Sequence, residues 1–404
     1  MNDSDSWTPA QRLRDVAGAF LKLGLTSFGG PVAHLGFFHA EIVRRRGWID
    51  EAEYADLVAL CQFLPGPASS QVVFALGQRR AGILGACVAS LCFTLPSAIL
   101  MIAFGYGVTA FAQLPAAGWI HGLKLAAVAV VAQAILVMGR KLCPDLPRIA
   151  LALFATAAVL LIPLATTQVG VIGAGALFGW AWYRGKEAAA PTTAPANDRH
   201  LGAGAALASF GLLLIALPVA AKLTGNRDVQ MFDSFYRAGS LVFGGGHVVL
   251  PLLRAEVVPP GWVADAQFLA GYGMAQAVPG PLFTFAGYLG TVIHGDPHAW
   301  SGGVLGLFAI FLPAWLLVGG ALPFWNSLRS IAGVQAALRG ANAAVVGVLL
   351  AAFYNPIWRQ GIASVGDFAT ALGAFALLQT GRVPVWLIVV LAAVAGIWTV
   401  GPGP

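Results

Sequence analysis

Apolar stretches long enough to cross a lipid bilayer recur along this chain, and they leave few folds open to it. Gly82 to Tyr106, Gly118 to Met138, Ile149 to Leu164, Leu201 to Ala221, Gly302 to Leu322 and Val383 to Thr399 are such runs. A helix rising ~1.5 Å per residue needs about 20 residues to span ~30 Å of hydrocarbon. Only 10% of the 404 residues are charged and 58% are hydrophobic. Against roughly 25% charged in soluble globular proteins, that is too little charge to solvate a fold of this size. The expected class is an all-α polytopic membrane protein. Trp48, Trp119, Trp180, Trp182, Trp262, Trp300 and Trp358 fall near segment ends, where an amphipathic ring prefers the headgroup zone.

The same residues exclude other classes. Met1 to Gln11 is polar and partly acidic, unlike a cleaved signal peptide, so the first segment is expected to be retained. The formal charge of +6 does not point to nucleic acid, because the cations sit in short loops between apolar runs, as in cytoplasmic loops of membrane proteins. Cys61, Cys87, Cys92 and Cys143 lack disulfide or metal spacing and read as small hydrophobes. Gly244-Gly245-Gly246 lacks the strand, helix and lysine of a phosphate loop. Neither a cofactor, a metal nor enzymatic chemistry is expected.

The chain repeats itself. Phe20-Leu21-Lys22-Leu23-Gly24 leads to Phe28-Gly29-Gly30, and Phe235-Tyr236-Arg237-Ala238-Gly239 leads to Phe243-Gly244-Gly245. Lys22 and Arg237, like Glu41 and Glu256, stand 215 positions apart; Trp48 and Trp262, Gln62 and Gln276, and Pro65-Gly66-Pro67 and Pro279-Gly280-Pro281 stand 214 apart. Leu95-Pro96-Ser97 answers Leu312-Pro313-Ala314, and Gly122-Leu123-Lys124 answers Gly340-Ala341-Asn342. The expected organisation is a transporter repeat over 1–183, a polar cytoplasmic linker over 184–200 and a second repeat over 201–400.

Glycine tolerates positive φ and proline removes a backbone donor, so helices should break at the Phe-Gly-Gly and Pro-Gly-Pro clusters. The limbs Leu13 to Phe28, Pro31 to Glu41, Ala52 to Leu64 and Pro67 to Gln78 are mostly too short to span alone. Hairpins entered from one face place Arg12, Arg14, Arg44, Arg45, Arg46, Arg79 and Arg80 on the cytoplasmic side, as loop charge favours. The second repeat is poor in such cations: Arg254 alone answers the arginine triplet. One extra span, Leu201 to Ala221, would invert it. The expectation is therefore two inverted-topology repeats, each with two broken hairpins plus about four transmembrane helices, roughly nine crossings in all.

Irregular backbone at membrane depth survives only where protein or a water-filled cavity satisfies it, and matched breaks mark a transporter's binding site. Helices restarting after Gly30, Gly66, Gly245 and Gly280 would aim free N–H groups and positive dipole ends at one point, which suits an anion. The candidate substrate residues are Gly29, Gly30, Pro31, Gln62, Pro65, Gly66, Pro67, Ser69 and Ser70 in the first repeat. In the second they are Gly244, Gly245, Gly246, His247, Gln276, Pro279, Gly280, Pro281 and Thr284. Lys22, Arg237 and Lys124 are cations within apolar segments, where charge is costly and by default functional. Competing readings are glycines serving helix packing, hydroxyls bonded to their own helix, and snorkelling of Lys22 and Arg237. Trp48-Ile49-Asp50-Glu51 and Trp262-Val263-Ala264-Asp265 read as interfacial anchors with helix N-caps. No proposed crossing carries Asp or Glu, which leaves Glu41 and Glu256 as the candidates for proton coupling.

Phe28-Gly29-Gly30-Pro31 with Pro65-Gly66-Pro67, and Phe243-Gly244-Gly245-Gly246 with Pro279-Gly280-Pro281, resemble the chromate ion transporter family in its long, two-domain form. The resemblance covers nearly the whole chain outside the linker and termini. It implies a multi-pass secondary transporter of the bacterial inner membrane that exports chromate, with sulfate as a related substrate, and confers chromate resistance. The implied partners are the oxyanion and the lipid bilayer, a homodimer being compatible, with no nucleic acid. A dianion leaving a negative cell gains about twice ~2.3 kcal/mol per 100 mV, so export needs no coupling ion. Proton-coupled uptake or exchange of sulfate-like anions, and an anion channel, are the alternatives.

Overall fold

The computed structural model describes residues 7–110, 118–162, 164–184, 200–243, 246–295, 299–325 and 331–399. The linker between Arg184 and His200 thus lies outside the described residues, as do Gly244 and Gly245. Regular structure among the described residues is helical throughout. The first repeat runs α1 (Pro9–Thr26), α2 (Gly30–Phe38, continuing as a π turn His39–Arg45), α3 (Glu51–Phe63), α4 (Ala68–Ala110), α5 (Gly118–Leu142), α6 (Leu146–Leu161) and α7 (Ala165–Tyr183). After α8 (His200–Thr224) the same order returns as α9 (Arg227–Ser240), α10 (Val249–Val257), α11 (Asp265–Ala277), α12 (Phe285–His294), α13 (Ala299–Ala321), α14 (Ala332–Ala352), α15 (Val365–Thr380) and α16 (Val385–Thr399).

Local signals set the boundaries. Thr8 closes a capping box with Gln11 at the start of α1, Asp50 caps α3 by accepting from Glu53 N, and Asn226 caps α9. The matched cap on α11 differs from expectation: Ala264 occupies the cap position, and Asp265 instead pairs with Arg254 at 2.7 Å. Within α4 the helix turns back at Ala81 and Gly82, where Gly82 takes φ 67°. That turn lays Gly77 against Gly85, so close that a Cβ on Gly77 would meet the Gly85 carbonyl oxygen at 2.4 Å. The expected limb Pro67 to Gln78 is therefore one arm of a hairpin whose other arm is the long apolar run.

Packing is reciprocal between the repeats. α1 lies on α4 through Gly24, and α9 lies on α13 through the matched Gly239. A Cβ on Gly24 would come within 2.7 Å of the Phe93 carbonyl oxygen, and one on Gly239 within 2.4 Å of that of Ile310. The ends of the repeats are exchanged: α6 and α7 pack on α14, while α15 and α16 pack on α5. Here again matched glycines bring backbones together. Gly340 would place a Cβ 1.9 Å from the Gly175 carbonyl oxygen, and Gly122 one 2.1 Å from that of Ala392. Small residues serve this purpose in membranes, where close approach supplies dispersion that lipid would otherwise provide.

Five helices among the described residues are long and apolar enough to cross a membrane: α4, α5, α8, α13 with its continuation to Phe324, and α14 with its continuation to Gly361. The remaining expected crossings, α6, α7, α15 and α16, have 16, 19, 16 and 15 residues. At ~1.5 Å per residue the shorter three reach only about 24 Å. They obtain their burial as pairs against the opposite repeat rather than as independent spans.

Candidate substrate site at the helix breaks

The two repeats meet at their breaks through a pair of matched hydrogen bonds. Gly66 N donates to Val242 O at 2.7 Å, and Gly280 N donates to Ser27 O at 2.8 Å. Each Pro-Gly-Pro glycine thus bonds the carbonyl just ahead of the other repeat's Phe-Gly cluster. Gly66 (φ 117°) and Gly280 (φ 97°) both hold left-handed backbone, which only glycine adopts without strain. A Cβ on Gly66 would lie 3.3 Å from that of Ala314, and one on Gly280 would lie 2.7 Å from Ser97 Oγ. Ala314 and Ser97 are themselves repeat-related, each following the proline inside its helix. The turns Gly246–Val248 and Leu282–Thr284 touch one another, so the four breaks form one connected centre.

Several polar atoms at this centre are buried without a partner. Ser27 Oγ, both ring nitrogens of His34, Ser70 Oγ, Gln71 Oε1 and Gln276 Nε2 belong to this set. His34 is 1% exposed and packs edge-on against Phe93 with centroids 5.6 Å apart; Phe93 is the residue whose carbonyl borders Gly280. The Ser27 backbone approaches the His34 ring, yet neither ring nitrogen meets hydrogen-bond geometry with it or with another group. Gln71 Nε2 donates to Pro65 O at 2.7 Å and fixes the first Pro-Gly-Pro turn. Ser69 and Ser70 occupy the first turn of α4, both buried, where backbone N–H groups have no partner within the helix.

A model of the chromate transporter family matches residues 14–180 and 229–397. The chain belongs to the chromate transporter family. It is 30% identical over 98% of its length to a probable chromate transport protein of Synechococcus elongatus, covering 99% of that protein. It is 28% identical to a chromate transport protein of Cupriavidus metallidurans, over 96% of this chain and 94% of that one. With a chromate transport protein of Pseudomonas aeruginosa the identity is 29%, over 98% and 94%. No solved structure matches.

The other sequence-predicted residues divide. Gly29 (φ 91°) and Gly30 (φ 78°) open α2 and Pro31 enters its first turn. Pro65, Pro67, Pro279 and Pro281 frame the two turns. Gly246 and His247 begin a 3-10 turn rather than a helix, and His247 Nδ1 lies 2.8 Å from the Tyr272 hydroxyl. Thr284 donates its hydroxyl to Pro281 O at 2.9 Å. Gln62 is exposed, whereas its partner Gln276 is buried. Lys124 lies partly buried inside α5, next to Leu123, whose carbonyl oxygen sits 2.5 Å from a Cβ built on Gly273 of α11.

Lys22 and Arg237 each meet the carboxylate at the matched position. Lys22 Nζ donates to Glu41 at 2.6 Å, and Arg237 grips Glu256 with two bonds of 2.8 and 2.9 Å. Glu41 also takes Arg45 and Arg46, while Arg237 also bonds Asp233. The cations at the limb ends are thus neutralised locally rather than presented to the centre. Asp367 lies inside the first turn of α15, 2.7 Å from His121, a carboxylate on a short apolar helix outside the six runs named from the sequence. Ser27, His34 and Gln71 were not among the expected site residues. His34 carried a usable signal, a histidine one turn into the helix that restarts at Gly30; Ser27 and Gln71 carried none beyond nearness to a break.

Proposed function

We propose that this chain is a secondary carrier that exports chromate, a tetrahedral dianion, across the bacterial inner membrane and so confers chromate resistance, with sulfate as a related cargo. The observation that carries the proposal is the set of buried, partnerless polar atoms at the joined breaks. A buried polar group left unsatisfied costs ~1–3 kcal/mol, and such groups gather where a ligand or ordered water completes them. Ser27 and Ser70 offer hydroxyl protons, His34 a ring N–H and Gln276 an amide proton. The starts of α2 and α4 add bare N–H groups and positive dipole ends. Lys124 supplies the formal charge that neutral donors lack, while Glu41 and Glu256 hold Lys22 and Arg237 in place.

A membrane potential suffices to drive this cargo outward. In everted vesicles with a lumen-positive potential and no pH gradient, labelled chromate should accumulate. His34→Leu and Ser70→Ala should each slow that accumulation at least ~10-fold at unchanged membrane abundance, the value of one charge-assisted hydrogen bond. Unchanged rates in both variants would remove the break site from the mechanism. A strict requirement for a pH gradient would assign the chain to proton-coupled exchange instead.

A further inference from the structure

Away from the breaks, α1, α3 and the first arm of α4 border a cavity of about 280 Å³, whose lining includes Arg12, Arg79, Arg80, Glu53 and Trp48. One water needs only about 10–15 Å³ of such space, so a hydrated polyatomic anion fits. Three guanidinium groups and one carboxylate line it, with the Asp15 carboxylate bonded to Arg80. Arg80 is held rigidly: it bonds Asp15 at 3.3 Å, and its guanidinium lies 5.1 and 5.3 Å from the ring centres of Trp7 and Trp48. Trp48 is fixed in turn by its Nε1 donating to Asp15 at 3.1 Å. Despite this clamp, Arg80 Nε is buried and has no hydrogen-bond partner. Arg79 is different, bonding Glu53 at 3.0 Å in a pair whose two side chains are both nearly half exposed. Exposed pairs of this kind are weak and screened by salt, so an arriving oxyanion can take Arg79 from Glu53.

The position of the cavity is as informative as its charge. Arg79 and Arg80 end the arm of α4 that starts at Ser69 and Ser70, so the cavity and the central breaks are joined by a single helical arm of roughly 18 Å. The repeat supplies an internal control. Arg12 and Trp48 are answered by Arg227 and Trp262, but Glu53, Arg79 and Arg80 by Gln267, His294 and Gly295. His294 is tied to Asp228 at 2.8 Å. Among the described residues, the arginine pair of this mouth has no counterpart at the matched place in the second repeat, and loop charge assigns the mouth to the cytoplasmic side.

We infer that this cavity is a peripheral oxyanion-docking site that captures substrate from the cytoplasmic side and loads the central site. Guanidinium groups recognise tetrahedral oxyanions by paired N–H donors, and an excess of cations at a concave mouth raises local anion concentration. The inference rests on the carrier reading above but has its own readout. Full-length protein in proteoliposomes would be assayed with labelled chromate for KM and maximal rate at two ionic strengths. Arg79→Gln should raise KM about tenfold, leave the maximal rate within twofold, and abolish most of the salt dependence of KM. Glu53→Gln should lower KM by freeing Arg79. Arg80→Gln should act like Arg79→Gln, with Arg80→Lys restoring part of the effect.

An unchanged KM in Arg79→Gln overturns the inference, and because Arg79 is exposed, misfolding does not excuse that result. Anionic lipid headgroups carry the same chemistry, so the assay is run in purely zwitterionic vesicles and in vesicles containing phosphatidylglycerol. A maximal rate that needs the anionic lipid in the native chain but not in Arg79→Gln assigns the cavity to lipid and overturns substrate docking. Failure of the central reading looks different, with His34→Leu and Ser70→Ala transporting normally whatever the arginine variants do.

Discussion

In the first repeat the helices resume directly after the glycine clusters, α2 at Gly30 and α4 at Ala68, whereas in the second the chain takes 3-10 turns at Gly246–Val248 and Leu282–Thr284 before α10 and α12 begin. The partners of the side chains follow the same division. Ser70 Oγ and both His34 nitrogens stand open in the first repeat; in the second, Thr284 and His247 are engaged by Pro281 and Tyr272, and Gln276 Nε2 is left open. Yet the backbone contacts that join the halves are matched pair by pair. The contrast teaches that duplication preserved the scaffold, where glycine geometry tolerates no drift, while the donors for a single ligand need not be matched position by position.

The largest effects should therefore be symmetric. Gly122→Val and Gly340→Val each push a branched side chain into an opposing carbonyl oxygen about 2 Å away, which rigid backbone cannot absorb. Overpacking of this severity costs on the order of 3 kcal/mol or more. Both variants should lose the monodisperse, detergent-extracted protein seen on size-exclusion chromatography. If only one did so, the exchange of helix pairs between repeats would not be the shared scaffold that it is taken to be.

Next come the asymmetric effects at the centre. Ser70→Ala removes an open donor and should raise KM for chromate ~10- to 100-fold, the range for a hydrogen bond to a charged acceptor. Thr284→Val removes a hydroxyl already spent on the backbone, so it should cost about 1 kcal/mol of thermal stability and leave KM nearly unchanged. Equal KM effects would restore a symmetric site and break the comparison.

Much of this was legible in the sequence because glycine and proline announce backbone events. Gly66 and Gly280 were readable as a matched pair of breaks, and the structure adds that each bonds the other repeat. Gly122 and Gly340 were visible as a repeat match, but their packing partners on α16 and α7 were not, since close approach leaves no periodicity of its own. The pairing of Lys22 with Glu41 is equally hidden: both residues stand out in the sequence, but the spacing of 19 positions has meaning only once the hairpin folds back. Donor status was the least legible. Nothing in the letters distinguishes the open hydroxyl of Ser70 from the spent one of Thr284.

The matched ion pairs offer a smaller test. Lys22 is half exposed, and Glu41 keeps Arg45 and Arg46 when the lysine is lost. Lys22→Gln should cost less than about 1 kcal/mol. Arg237 bonds two carboxylates at once, so Arg237→Gln leaves Asp233 and Glu256 facing each other without a cation. A more buried pair broken on one side should cost about 2 kcal/mol. Thermal unfolding of the two variants in one detergent separates these cases.

The smallest effect contrasts the caps of α6 and α15, which occupy matched places in the exchanged pairs. Asp145 caps α6 with its carboxylate, and Ser364 caps α15 with its hydroxyl. Hydrogen bonds from Arg148 hold the Asp145 carboxyl down to about 2, below its ordinary value of 3.8. A depressed carboxyl contributes stability that is complete above its unfolded pKa and lost as pH falls through the folded one. The Asp145 contribution is thus full above about pH 4 and fades toward pH 2, and with the side chain a third exposed it should stay under about 1 kcal/mol. Asp145→Asn should lower the melting temperature slightly at pH 7 and by a smaller amount at pH 2.5, where part of the contribution is already lost. Ser364→Ala removes a cap that carries no charge of its own and should cost about 1 kcal/mol at pH 7; an unchanged melting temperature there would mean that the hydroxyl is not the cap that matters.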